Sequence, residues 1–278
     1  MSNNLLLYIL YGIVAGFSEY SPVSASSHQA LFPMLLRFDS AWPVLRFFVH
    51  AGALAAYVVI YWKRLNHLSR EMQFVTLSTG RKKRPRDMDA ILDISLAMMA
   101  LIPTLIGAVC AAFLSGTNVN LFIQAILLII GATLIYIPDY VPGGDRKTGA
   151  MAPLEGFILG LCAGCSIIPG ISKVGLMLAF GILRKGERSY ILDLALLISG
   201  LMVAENLLLD LISIFVTGFS GFSILRLFGC LLAGAASFGG GIGAIQMMRY
   251  LSVKTGFSGF AFYGWGLGLF SFILYLMT

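Results

Sequence analysis

The chain has 278 residues, of which 58% are hydrophobic and 12% are charged, and its formal net charge is +6. Soluble domains average roughly 25% charged residues, so this composition excludes an ordinary soluble domain and predicts an integral membrane protein. The positive charge does not indicate nucleic-acid binding, because the basic residues cluster in loops between apolar segments. Four cysteines in so apolar a chain do not form a disulfide framework.

The apolar segments divide into spans and interrupted regions, since a membrane-spanning helix needs about 20 apolar residues. An interrupted region at 5–36 precedes spans at 43–62, 91–114 and 119–138; a second at 153–183 precedes spans at 191–215, 223–248 and 257–277. Both interrupted regions contain proline, serine and glycine in their middle, which breaks a helix. We predict an all-α polytopic membrane protein with six transmembrane helices and two re-entrant helical hairpins.

Basic residues orient these segments by the positive-inside rule. Loop 63–90 is strongly basic and is expected to be cytoplasmic, and both flanks of 153–183 are basic as well, with Arg146 before it and Arg184 after it. Region 153–183 therefore enters the membrane and returns to the same side. Full spanning pairs give the same sidedness, but the polar breaks favour re-entry.

One hairpin and three spans make up each half of a single membrane domain, 1–278, with the halves at 1–138 and 139–278. The two halves have opposite orientation, and a weak internal repeat of Gly-x-x-x-Gly before each break supports the pairing. Inverted repeats with broken helices form midplane substrate sites in membrane proteins.

The two breaks carry the polar chemistry of the chain. Three ionisable groups lie in them, Glu19, His28 and Lys173, although a charge in the bilayer centre costs at least about 2.5–3.5 kcal/mol. Hydroxyls, backbone N–H groups of broken helix ends and a lysine together suit a phosphate. The expected phosphate-binding residues are Ser24, Ser27, Gly170, Ser172 and Lys173. The alternative is that the serines cap helices and Glu19 pairs with Lys173.

At these breaks the sequence resembles the undecaprenyl-pyrophosphate phosphatases of bacterial envelopes, the bacitracin-resistance type. The first family motif reads approximately E-G-x-x-E-F-x-P-V-S-S-T-G-H, where residues 15–28 read A-G-F-S-E-Y-S-P-V-S-A-S-S-H. The second motif, P-G-x-S-R-S-G-A-T, corresponds to P-G-I-S-K-V-G-L-M at 169–177. The resemblance implies the same inverted repeat and a multi-pass location in the bacterial cytoplasmic membrane.

The resemblance also implies that Glu19 and His28 are catalytic, but several family positions are changed. Ala15 replaces the first glutamate, Ala25 the serine usually proposed as nucleophile, Lys173 the arginine, and Met177 a threonine. Lysine keeps the charge but loses the bidentate fork of arginine. Ser26, next to Ala25, is the remaining candidate for a nucleophilic hydroxyl.

Two further residues are candidates for lining the cavity. His50 lies in the first span, and Glu205 lies far from either end of the span at 191–215. A histidine or glutamate that only hydrogen-bonds a neighbouring helix is the alternative for each. Glu205 and Glu155 are also candidate partners of Lys173.

These changes predict a protein that binds a polyprenyl (undecaprenyl) phosphate lipid in a midplane cavity and translocates or recycles it, with weak or no phosphatase activity. The alternative is an undecaprenyl-diphosphate phosphatase with a rearranged site; a non-catalytic lipid sensor is a third class. The sequence indicates no definite cofactor, and a divalent cation, Mg²⁺ or Ca²⁺, goes with the phosphatase alternative. The partners expected are the lipid, the membrane and a second copy in a homodimer, and no nucleic acid.

Overall fold

The computed structural model describes residues 4–77, 87–114, 120–142, 144–147, 151–218, 223–254 and 256–277. The basic run at 80–86, on which the predicted orientation partly depends, lies outside these ranges. Helices account for most of the described residues, and no β-strand occurs among them. The helices, in chain order, are α1 Leu5–Tyr20, α2 Ala25–Leu36, α3 Pro43–Leu77, α4 Met88–Leu114, α5 Leu121–Tyr136, α6 Pro153–Gly164, α7 Lys173–Leu183, α8 Arg188–Thr217, α9 Ile224–Lys254 and α10 Ser258–Met277.

Six of these helices, α3, α4, α5, α8, α9 and α10, are long and apolar enough to cross a membrane. The prediction of an all-α polytopic membrane protein is therefore confirmed. Helix α3 continues past the predicted span 43–62 to Leu77. The sequence interpretation counted apolar residues, whereas a helix that leaves the hydrocarbon can continue with polar and basic ones.

The remaining four helices form two short pairs that are each broken by proline. Helix α1 has 16 residues, α2 has 12, α6 has 12 and α7 has 11. At 1.5 Å per residue, even α1 reaches only about 24 Å, short of the roughly 30 Å hydrocarbon core. At the second break Gly170 has φ +110, and a Cβ there would lie 2.5 Å from Cβ of Leu127. That backbone conformation is open to glycine and rarely to other residues.

The first helix of each short pair packs against a span by backbone-to-backbone contact. A Cβ at Gly12 or Gly16 of α1 would lie 2.2 Å or 2.1 Å from a carbonyl oxygen of α9. A Cβ at Gly156 or Gly160 of α6 would lie 2.5 Å or 2.6 Å from a carbonyl oxygen of α4. Only glycine permits such approaches, so these residues fix the depth at which each break lies.

Ion pairs join several helices at one end of the bundle. Arg64 of α3 donates to Asp93 of α4 at 2.8 Å, and Arg249 of α9 lies 3.7 Å from Asp193 of α8. Close to Asp193 on α8, Arg188 donates to Asp139 at 2.7 Å. We call the end that carries Arg64, Arg188 and Arg249 the basic end.

Candidate functional site

The two breaks are in direct contact. Oγ of Ser24, the N-cap of α2, accepts hydrogen bonds from the backbone N–H of Ser27 at 3.3 Å and of Gly170 at 3.0 Å. Ser26 Oγ donates to the carbonyl of Ser166 at 3.0 Å. The hydroxyl of Ser172, the N-cap of α7, donates to the carbonyl oxygen of Ser21 at 3.5 Å. Residues separated by about half the chain thus form one polar cluster.

A buried ion pair lies beside this cluster. Lys173 Nζ donates to Glu19 Oε2, and both residues are buried, with 5% and 3% of their surface exposed. Gln29 Nε2 donates to the other oxygen of Glu19 at 3.3 Å. The sequence left open whether Lys173 is free for phosphate or paired with Glu19; here it is paired. Glu205 and Glu155 bond other residues instead.

The imidazole of His28 has a defined tautomer. Its Nδ1 lies 2.7 Å from the carbonyl oxygen of Ser24, which only accepts, so Nδ1 carries the hydrogen. In the neutral ring Nε2 is then the basic nitrogen, and it lies 2.6 Å from the hydroxyl of Tyr263 on α10. The two rings stack with centroids 5.7 Å apart. His28 is therefore held ready to accept a proton at Nε2.

Three serines lie at the N-terminus of α2, and two of them, Ser24 and Ser26, donate their hydroxyl hydrogens to other groups. Ser26 donates to a carbonyl, so the 3.1 Å contact between Ser24 Oγ and Ser26 Oγ is a donation from Ser24. Ser27 Oγ is buried and has no hydrogen-bond partner among the described residues. Ala25, at the first turn of α2, brings no hydroxyl.

Two of the changed family positions are fully buried and apolar. Ala15 lies one turn before Glu19 on α1, and Met177 lies one turn after Lys173 on α7, and neither has exposed surface. Where the resembled family has a carboxylate and a hydroxyl, this site therefore has apolar walls.

An apolar groove of about 690 Å³ adjoins the cluster. It runs between α1, α9 and α10, and His28 and Tyr263 are among its lining residues. The apolar residues that line it include Ile13, Val14, Phe17, Val23, Leu251 and Phe260. This shape fits a hydrocarbon chain whose polar head lies at the breaks.

The two remaining candidates differ in their relation to the site. His50 joins it: Nδ1 lies 2.5 Å from Asp210 Oδ2, and Nε2 lies 4.0 Å from Glu19 Oε1. Glu205 does not join the cluster; its Oε1 accepts from Thr104 at 2.9 Å, and Oε2 has no hydrogen-bond partner among the described residues.

Sequence reasoning missed four partners: Gln29, Asp210, Tyr263 and the carbonyl of Ser166. Gln29 stands next to His28 in the chain, so its proximity carried a signal. The other three depend on how distant helices pack, and a single sequence holds no signal for that.

No group of three His, Cys, Asp or Glu residues within the described ranges is arranged to hold a metal ion. Glu19 already binds an ammonium, so the residues present do not by themselves fit a divalent cation.

Comparison with known proteins assigns the family. Residues 8–270 match the family described as bacitracin resistance protein BacA. The chain is 29% identical to a protein of Alkaliphilus metalliredigens over 265 residues, covering 94% of each chain. It is 27% identical to one of Desulforapulum autotrophicum, covering 95% of this chain and 96% of the relative. A third, from Halothermothrix orenii, is 24% identical over 96% of both.

All three relatives carry the name undecaprenyl-diphosphatase. The family match extends over nearly the whole chain and includes both breaks. The chain belongs to the BacA family of bacitracin resistance proteins.

Proposed function

We propose that the protein binds a polyprenyl diphosphate and hydrolyses its terminal phosphate. The observation that carries the proposal is the apolar groove of about 690 Å³ that is lined in part by His28, beside the hydroxyls of Ser24 and Ser26. The diphosphate would lie between the breaks and the prenyl chain would lie in the groove. The names of the relatives favour this activity over the translocation without cleavage that the sequence alone suggested.

The chemistry that we propose uses Ser26, His28 and Glu19. The Ser26 hydroxyl attacks the terminal phosphorus, its proton passes to a neighbouring base, and the bond from that phosphorus to the bridging oxygen breaks. The lipid monophosphate leaves, and water then cleaves the phosphoserine to give inorganic phosphate. His28 Nε2, with its hydrogen on Nδ1, is the base in the right tautomer, and it takes this proton after the Tyr263 hydroxyl leaves Nε2 and the Ser26 hydroxyl leaves the carbonyl of Ser166. Glu19 pairs with Lys173 before the phosphate binds and so keeps the ammonium beside the breaks.

The phosphate-binding groups of the proposal come from both breaks. The hydroxyls of Ser24, Ser27 and Ser172, the backbone of Gly170 and the ammonium of Lys173 would bind the phosphate oxygens. All of these groups except Ser27 would exchange a present protein partner for the phosphate. Ser27 Oγ is buried without a hydrogen-bond partner among the described residues. Since buried hydroxyls normally have a partner, this one is available to bind a phosphate oxygen. Pyrophosphate cleavage depends on such fixed donors more than on covalent chemistry.

A second candidate function is binding of a polyprenyl monophosphate for translocation or recycling, without cleavage. It rests on a specific observation: Ala25 occupies the helix position at which the resembled family has its reactive serine. The remaining polar groups suffice to bind a phosphate, and Ser26 is already bonded to two partners.

Phosphate release from a polyprenyl diphosphate by the purified protein in detergent separates the two. We expect the wild-type protein to release phosphate and Ser26→Ala, His28→Gln and Glu19→Gln each to lose at least about 10²-fold. Ser69→Ala, on the exposed surface of α3, is the matched control and retains the wild-type rate. Monophosphate binding without any phosphate release would overturn hydrolysis and leave the second candidate.

We also propose that the two short helix pairs are re-entrant hairpins and that 1–138 and 139–278 are inverted repeats in a cytoplasmic membrane. The contacts support this, since exchanging the halves maps one set onto another. Helix α1 packs on α9 as α6 packs on α4, α3 packs on α9 as α8 packs on α4, and α5 packs on α10. A homodimer stays a prediction.

A further inference from the structure

Glu19 lies between two groups that can each carry positive charge. Lys173 bonds Oε2, while His50 Nε2 lies 4.0 Å from Oε1, on the opposite side of the carboxylate. Lys173 is the one lysine or arginine in either polar break, so a bound phosphate requires its ammonium. In the structure that ammonium is held by Glu19.

The position of His50 is itself fixed by a second carboxylate. Asp210 Oδ2 lies 2.5 Å from Nδ1, and Arg46 Nε lies 3.1 Å from Asp210 Oδ1. His50 and Asp210 are both buried, with 8% and 5% of their surface exposed. Nδ1 therefore donates to Asp210, and Nε2 is left facing Glu19 with room for a proton.

Five side chains form a row of successive contacts in which basic and acidic groups alternate: Arg46 of α3, Asp210 of α8, His50 of α3, Glu19 of α1 and Lys173 of α7. With a neutral imidazole its formal charges sum to zero, and a phosphate headgroup adds about −1.5 to −2. The charged groups that act on His50 are Asp210 of α8, Glu19 of α1 and Lys173 of α7, and α9 has no charged residue between 227 and 248. An imidazole takes up a proton closer to neutral pH than a carboxylate does, so His50 is the candidate in the row for a proton that offsets this charge.

We propose that binding of a phosphate headgroup is coupled to proton uptake by His50, which replaces Lys173 as the partner of Glu19 and frees the lysine ammonium for the phosphate. The proton comes from solvent and binds Nε2; the imidazolium then pairs with Glu19 and Asp210, and no covalent bond changes. A small rotation of the ring or one bridging water closes the 4.0 Å gap. His50 is a positioning residue, since it acts through Glu19 and Lys173. The inference rests on the phosphate binding of the proposed function and is independent of cleavage.

Calorimetry with a polyprenyl monophosphate measures the coupling directly. Binding enthalpies in buffers of different ionisation enthalpy give the number of protons taken up per bound lipid. We expect His50 to add up to one proton to the number that the lipid phosphate takes up by itself. By linkage, one proton taken up makes the affinity fall as pH rises, by up to about tenfold per pH unit above the titration of His50. His50→Gln still bonds Asp210 but cannot take the proton, so it loses this component. His67→Gln, whose residue bonds Asp87 at the other end of α3, is the matched control and retains it.

A measurement on the unsubstituted protein guards against misfolding of the variant. With only three histidines in the chain, the NMR signals of labelled imidazole rings are assignable, and monophosphate lipid is expected to convert one ring to the protonated form. Equal proton uptake by wild type and His50→Gln, or no change in any imidazole, overturns the inference. Failure of the lipid to bind overturns it together with the proposed function. Coupled binding without diphosphate cleavage upholds it and overturns hydrolysis alone.

Discussion

Replacing Lys173 by methionine separates the stability of the site from its ability to bind a phosphate. The substitution keeps the side-chain length and leaves the Glu19 carboxylate buried, with 3% of its surface exposed. Removing one partner of a buried ion pair costs about 3–5 kcal/mol, because the other charge stays uncompensated. Unfolding temperatures of chains of about this size fall by about 2–4 °C per kcal/mol, so we expect Lys173→Met to unfold roughly 10 °C lower.

The double variant Glu19→Gln/Lys173→Met removes both charges, so most of the lost stability is expected to return while phosphate binding stays lost. Thermal unfolding in detergent is followed by intrinsic fluorescence, and lipid binding is measured in parallel. Lys63→Met, at an exposed position of α3, controls for the loss of a positive charge. A wild-type unfolding temperature for Lys173→Met, or a double variant less stable than the single one, would refute the reasoning.

Three further predictions test the cluster, the packing and the groove. Ala25→Ser restores a hydroxyl at the first turn of α2 and is expected to raise phosphate release about tenfold or more; an unchanged rate contradicts it. Gly16→Leu places a Cβ 2.1 Å from the carbonyl oxygen of Ser237, so the free energy of unfolding is expected to fall by about 1–3 kcal/mol, and lipid binding is expected to be lost. Gly239→Ala is the control, because nothing lies within 4 Å of its Cβ, and it is expected to unfold like wild type. Val14→Trp fills the groove and weakens binding of a long-chain lipid, measured against a short-chain analogue that it binds normally.

The sequence predicted the membrane class and the position of both polar breaks because those depend on local composition. Proline, serine and glycine between apolar segments break a helix wherever they occur, and ionisable groups inside an apolar region are rare unless they are used. The pairing of Glu19 with Lys173 was the alternative that the sequence left open beside phosphate binding by Lys173, and it depends on the two breaks lying together. These predictions required no knowledge of how one helix is rotated against another.

The partners of the site residues could not be predicted in the same way. Asp210 bonds His50 across 160 residues of sequence, and that contact depends on the rotation of α8 against α3. Tyr263 resembles the other aromatic residues of α10 in sequence, yet its hydroxyl is the one that reaches His28. Glu205 illustrates the converse, since a lone buried carboxylate bonds Thr104 and stays outside the cluster. These contacts depend on how distant helices are rotated and shifted against one another, and a single sequence does not contain that information.

The direction of the groove determines how a lipid must be oriented when it binds. In one direction from His28 the groove continues to Gly256 and Ser258, which lie next to Asp139 at the basic end. In the other direction it continues along α1 to Val14 and Ile13. In the proposed function, a lipid tail that follows the part of the groove near Gly256 would point toward the basic end, and the phosphate would point away from it. Lipids of the leaflet opposite the basic end would already have this orientation and would need only to sink toward the breaks. A lipid of the other leaflet would first have to turn over.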